Sequence, residues 1–131
     1  VKIKSPLFLI LPRKTKADRK VYINLNGYRN WHFQISNKLK HLYCESMEEY
    51  LSKKKFNPPI SLTFILYKSS KRRIDRSNIL SITEKFFCDA LTFYKCLPDD
   101  NDNYIQETIY KTGGIDKENP RVDIIIKELT K

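Results

Sequence analysis

Residues 60–94, ISLTFILYKSSKRRIDRSNILSITEKFFCDALTFY, change their hydrophobic period once, and that change sets the fold class. Ile60–Tyr67 is β-branched and aromatic, the composition of a strand. Lys68–Asn78 is polar and basic and reads as a loop, after which Ile79–Tyr94 carries apolar residues at helical spacing. Pro98 and the acidic run Asp99–Asn103 end that helix. Further on, Tyr104–Tyr110 and Arg121–Glu128 read as strands joined by a long turn containing Gly113-Gly114 and Pro120. On the amino-terminal side, Asn57-Pro58-Pro59 forbids continuation of an earlier helix. That helix spans about Asn30 to Lys53, with Phe33, Leu39, Leu42, Tyr43, Met47, Tyr50 and Leu51 on one face. Lys53-Lys54-Lys55 suits its carboxyl end, where cations complement the dipole. Alternation at Val1 and Ile3 runs into Leu7–Leu11, a buried strand bounded by Pro6 and Pro12, and Val21–Leu25 is a short strand ending at Asn26-Gly27. The order β-β-α-β-α-β-β predicts an α+β domain, with two main helices on a small mixed or antiparallel sheet.

A length of 131 residues suits one hydrophobic core, so residues 1–131 are expected to form a single domain. The apolar run in Lys4–Lys14 is five residues long, proline-bounded and without a small-residue cleavage site; it is neither a signal peptide nor a membrane span. Cys44, Cys88 and Cys96 form no C-x-x-C pair and cannot all pair within one chain, which fits reduced thiols in a cytoplasmic protein. Charge is more informative. Residues 1–74 carry 17 Lys/Arg against 4 Asp/Glu and residues 75–131 carry 8 against 11, so the net charge of +10 divides into +13 and −3. A basic surface this strong suits a polyanion, because each cation placed on a phosphate releases condensed counterions. Solubility alone is the bland reading of the same charge. An anionic membrane is a weaker fit, since no basic amphipathic helix or lipidation signal accompanies it.

At about 100° per residue, Asn78, Ser81, Lys85, Asp89 and Thr92 form one narrow polar stripe on the second helix. Ile79, Thr83, Phe86, Phe87, Ala90, Leu91, Phe93 and Tyr94 form the face expected to pack on the sheet, with Glu84 apart. Lys85 and Asp89 are neighbours at i and i+4, and in isolation they would be a solvated salt bridge worth a few tenths of a kcal/mol. Their company suggests more. Asp75 precedes the stripe, and Asp99 and Asp100 follow the helix where the chain can turn back toward the sheet. Carboxylates converging in so basic a protein would hold a hard divalent cation, with the basic surroundings holding nucleic acid and the cation assisting phosphodiester hydrolysis. His32 and His41 have no partner at metal-ligand spacing, and no phosphate-binding glycine loop, G-x-S-x-G elbow or Cys-His signature occurs. The 15 Tyr and Phe residues suit base stacking, but most sit at core-periodic positions.

The pattern RRIDRSN, then Lys85, Asp89-Ala90-Leu91 and Asp99-Asp100, resembles the signature of RusA-type Holliday-junction resolvases, often carried by phages and prophages. In that family a basic run precedes Asp-x-Asp-Asn, a helix with Lys-x-x-x-Asp-Ala-Leu, and Asp-Asp. Arg72 and Arg73 fall on the basic run, Asp75 on the first aspartate and Asn78 on the asparagine; Lys85 falls on the catalytic lysine and Asp99-Asp100 on the acidic pair. The match covers about 30 residues. Two departures stand out: four extra residues between Asn78 and Lys85, one more helical turn, and Ser77 where the second motif aspartate belongs. The resemblance implies a homodimer that binds a four-way DNA junction and makes paired nicks, one per subunit, with Mg²⁺ or Mn²⁺ and no organic cofactor. It implies Asp75, Asp100 and Asp99 as metal ligands, Lys85 as the residue stabilising phosphate charge or orienting water, and Asp89, Ser77 and Asn78 in support. Lys71, Arg72, Arg73 and Arg76 would hold the DNA backbone, with Arg13, Lys14, Lys16, Arg19 and Lys20 as accessory contacts. A nuclease for flaps or duplex DNA, a non-catalytic nucleic-acid-binding relative and a regulatory interaction protein are the alternatives. A cytoplasmic setting, in a bacterial host or encoded by a phage, is expected.

Overall fold

Ile60, Leu62, Phe64 and Leu66 alternate along the central strand and all four are buried, whereas Thr63, Ile65 and Tyr67 between them are only partly covered. One face of that strand therefore carries the core. The computed structural model describes residues 1–129. The chain runs β1 (Lys2–Ser5), β2 (Phe8–Leu11), β3 (Arg19–Tyr22), α1 (Leu25–Asn30), α2 (Phe33–Ser46), α3 (Glu48–Leu51), β4 (Ile60–Lys68), α4 (Arg76–Phe93), β5 (Ile105–Ile115) and β6 (Arg121–Glu128). The class is mixed α+β. Four strands form one sheet in the order β1-β6-β4-β5, and β2 and β3 form a separate antiparallel ribbon. β4 lies antiparallel to β6 but parallel to β5, so α4 is the crossover that carries the chain back to the other end of the sheet.

One hydrophobic cluster takes residues from every strand and from α2, α3 and α4. Phe64 meets Phe87 of α4 and Tyr110 of β5 edge to face, with ring centroids 6.1 and 6.0 Å apart. On the far side of α4, Phe86 packs against Tyr43 of α2 and against Tyr28 and Trp31 from the α1 segment. Being clamped between sheet and helices, α4 is buried around about 240° of its circumference. This explains why Ile82 and Cys88, which flank the expected face, are buried together with Leu80 within it; Phe93, expected on that face, is exposed at the helix end.

The sequence departs from its expected elements at four places. The first strand is two, because Pro6 lies between β1 in the main sheet and β2 in the ribbon. Asn26-Gly27 lies inside α1 rather than in a turn, since the Asn24 side chain accepts from Gly27 N at 2.7 Å and caps that helix. The long first helix is broken into α2 and α3 at Met47. Gly113-Gly114 lies within β5: Leu66 pairs with Thr112 and Tyr67 with Gly114, leaving Gly113 as the extra residue of a bulge. A Cβ on Gly113 would stand 2.6 Å from the Tyr67 ring and 2.7 Å from Ile65 Cγ2. Replacement Gly113→Ala should cost about 2 kcal/mol of stability, measured by urea unfolding. An unchanged midpoint would show that the bulge does not need glycine.

Candidate functional site

Asp75 is the N-cap of α4, in extended conformation, and its Oδ1 accepts from Ser77 N at 3.1 Å and from Ser77 Oγ at 2.9 Å. Ser77, at the position of the missing motif aspartate, thus orients Asp75 by donating to it. Placing a carboxylate at a helix amino end is favourable, because the unpaired N–H groups and the dipole are positive there. Asp75 and Asn78 line a cavity of about 610 Å³ together with Lys68, Arg72, Arg73 and Tyr22. The basic loop is held locally: Arg72 N donates to Ser70 Oγ at 3.3 Å, while Lys71, Arg72 and Arg73 remain exposed. Arg76 is less free, since its Nη1 donates to Thr112 Oγ1 on β5 at 3.0 Å. The accessory cations lie on the ribbon and its loop. Arg13, Lys14 and Arg19 join Lys38 around a second cavity of about 560 Å³, Lys16 is exposed in the loop, and Lys20 lies over the Phe8 ring.

The acidic pair lies elsewhere. Asp99 Oδ1 accepts from Asp100 N at 2.7 Å and Asp99 Oδ2 from Asn101 Nδ2 at 3.3 Å, which shapes a tight acidic loop after α4. Desolvation, then the hydrogen bond to Asp99 and the charges of Asp99 and Asp89, raise the Asp100 carboxyl above its ordinary value. Beneath them the buried Cys88 thiol is pushed up to about 12, first by desolvation and then by Glu84, Asp100 and Asp89. Asp89, Asp99 and Asp100 therefore belong to one end of α4 and Asp75 to the other. Asp89 lies about 21 Å along the helix from Asp75, and the acidic loop follows the carboxyl end of the helix.

This corrects the expected convergence. Following the helix, the chain does turn back toward the sheet, but it does so at the start of β5, at the far end from Asp75. Among the described residues no three His, Cys, Asp or Glu side chains form a metal-binding group. The donors have the right chemistry for Mg²⁺ or Mn²⁺, hard carboxylate oxygens, but one copy of the chain does not bring enough of them together. Lys85 is exposed about 15 Å along the helix from Asp75, with Nζ 5.7 Å from the centroid of the Tyr28 ring. Among the described residues it makes no ion pair with Asp89, so the solvated salt bridge suggested by the two residues in isolation is absent.

Sequence reading missed Lys68 and Tyr22 beside Asp75. The signal for Tyr22 was present: alternation in Val21-Tyr22-Ile23 sends it to the face opposite the two buried residues. No protein-family model and no curated protein matches the chain. Among the described residues no helix is long and apolar enough to cross a membrane.

The raised Asp100 carboxyl carries a sign. Protonation favours the fold, so the ionised group costs stability at pH values above its raised pKa, and that cost vanishes below the ordinary aspartate range. Asn mimics the neutral form. In the absence of divalent cations Asp100→Asn should raise the melting temperature at pH 7 and leave it unchanged at pH 3; a lower melting temperature at pH 7 would contradict the repulsion.

Proposed function

We propose that the protein is a homodimeric, divalent-cation-dependent endodeoxyribonuclease acting on branched DNA, with each active site built from two subunits. The observation that carries this reading is the pairing of a carboxylate with a basic cavity at one end of α4 and an unneutralised acidic loop at the other. A twofold axis that sets α4 against α4 of a second copy in opposite directions lays Asp75 beside Asp99 and Asp100 of the partner subunit. Two such sites arise together, as paired nicks require. The motif likeness supports the same assignment independently of the geometry.

In this arrangement Lys68, Arg72 and Arg73 bind the phosphate backbone around the scissile group. Ser77 fixes the Asp75 carboxylate by its two hydrogen bonds to Oδ1, which leaves Oδ2 to take a ligand. The two subunits together supply three carboxylates, enough for a hard cation that keeps water and phosphate oxygens in its remaining positions. Such a cation, when bound, supplies activation of water and neutralisation of charge on the reacting phosphate. Lys85, exposed on the polar stripe, neutralises a neighbouring phosphate rather than an aspartate of its own helix.

A second reading rests on Ser77: a relative that binds branched DNA without cutting it. Incubation with a labelled four-way junction, linear duplex and flap substrates in Mg²⁺ separates the two. Paired cuts in the junction are expected; tight, salt-sensitive binding without cuts supports the second reading, and no binding removes both. Asp75→Asn and Asp100→Asn should each slow cleavage by on the order of 100-fold while leaving junction affinity in EDTA within a few-fold of the parent. Variants that cut as fast as the parent would remove these residues from the site. Ser77→Asp should lower the Mg²⁺ concentration needed for half-maximal cutting, and an unchanged requirement would show that the serine costs nothing.

A further inference from the structure

The β2–β3 ribbon has two faces of opposite character. Leu9, Leu11 and Val21 turn inward and are buried, with β2 packed on α2. On the outer face the cross-strand pairs Phe8↔Tyr22 and Ile10↔Lys20 stand together. Tyr22 is 52% exposed and Ile10 48%, an unusual apolar content for the solvent side of a two-stranded ribbon. The two rings meet edge to face at 5.8 Å, and Lys20 Nζ sits 4.0 Å from the Phe8 centroid and 5.1 Å from that of Tyr22. Lys20 therefore stands over both rings, and Tyr22 stays about half exposed beside it.

What lies at the two ends of this patch identifies its ligand. Tyr22 borders the basic cavity of Arg72 and Arg73, and the opposite end of the ribbon borders the cavity of Arg13, Lys14, Arg19 and Lys38. Four residues of strand cover about 13 Å, the length of about four nucleotides stacked 3.4 Å apart. Cationic cavities at both ends with aromatic faces between them match a nucleic-acid strand whose phosphates are held at the ends and whose bases are unstacked onto side chains. A protein surface would not need the basic ends, and the closed stack of an intact duplex offers no base face to Tyr22.

We propose that the outer face of the β2–β3 ribbon is a stacking platform for unpaired bases of a single DNA strand, with Tyr22 as the principal contact, Phe8 beside it and Lys20 on the adjoining phosphate. This deepens the nuclease reading, because a branched junction presents unpaired or easily unpaired bases beside the Asp75 cavity. It does not require cutting. Tyr22 is a specificity residue here: it selects strands that can open, while Arg72 and Arg73 hold any backbone.

The test uses a 12-nucleotide single strand with a central 2-aminopurine, and a blunt duplex of the same sequence, titrated with the full chain in EDTA. The parent should change the 2-aminopurine fluorescence and bind the single strand more tightly than the duplex. Tyr22→Leu keeps apolar bulk but loses the ring, and should weaken single-strand binding about tenfold while barely altering duplex binding. Tyr22→Phe should behave as the parent, and Lys20→Ala should reduce the salt dependence by about one phosphate contact. The ribbon's integrity is read from thermal unfolding of each variant. Equal losses on both ligands, or a Tyr22→Leu protein that binds as the parent does, would overturn the platform. If this stacking is found in a protein that cuts no junction, the nuclease reading falls and this one stands; parent-like binding by Tyr22→Leu in an active nuclease gives the reverse.

Discussion

The parallel pairing of β4 with β5 is the constraint on which the rest of the molecule depends. Parallel neighbours cannot be joined by a hairpin, so the chain must cross from one end of the sheet to the other, and α4 makes that crossing. Whatever precedes α4 is then separated from whatever follows it by the helix length. The sequence places a basic loop and Asp75 before it and an acidic loop after it, so these two charged segments stand at opposite ends of the helix. The helix dipole distinguishes the ends further. Asp75 caps the positive end, where a carboxylate is at ease, while Asp99 and Asp100 lie past the negative end, where carboxylates gain nothing from the dipole.

This polarity accounts for how the candidate site differs from the one a linear motif suggests. The spacing of Asp75, Lys85, Asp89 and Asp100 describes order along a chain, and a helix converts order into length. Within one copy the four side chains are spread along a rod. In the proposed dimer a second copy running the other way would restore the cluster. The ribbon adds to the Asp75 end what the motif does not mention: the half-exposed Tyr22 ring under Lys20, adjoining the same cavity.

Much of the architecture was legible because it rests on local patterns. Ile60–Tyr67 and Arg121–Glu128 are strands within a residue of their expected bounds, and α4 begins three residues early because Asp75 caps it. The misreadings arose where one residue type serves two backbones. Asn-Gly opens turns, but Asn24 two residues earlier supplies a cap and draws Gly27 into α1; a pair of glycines signals a turn, but β5 uses one of them in a bulge beneath Tyr67. Periodicity also tells which side chains share a helix face without telling how many neighbours the helix has, so the burial of Ile82 and Cys88 is not legible in it. The separation of Asp75 from Asp100 depends on strand direction, which no local pattern in β4 or β5 reveals.

The most direct test of the two-subunit site mixes Asp75→Asn and Asp100→Asn proteins under conditions that exchange subunits, then assays cleavage of a four-way junction in Mg²⁺. In a mixed dimer one site carries both substitutions, and the other combines Asp75 of one subunit with Asp100 of its partner and is intact. Random exchange should therefore restore about a quarter of the parental sites, cutting one strand at a time, although each variant alone cuts on the order of 100-fold more slowly than the parent. If the exchanged mixture stays as inactive as its components, the two aspartates do not act across the dimer and the account is wrong.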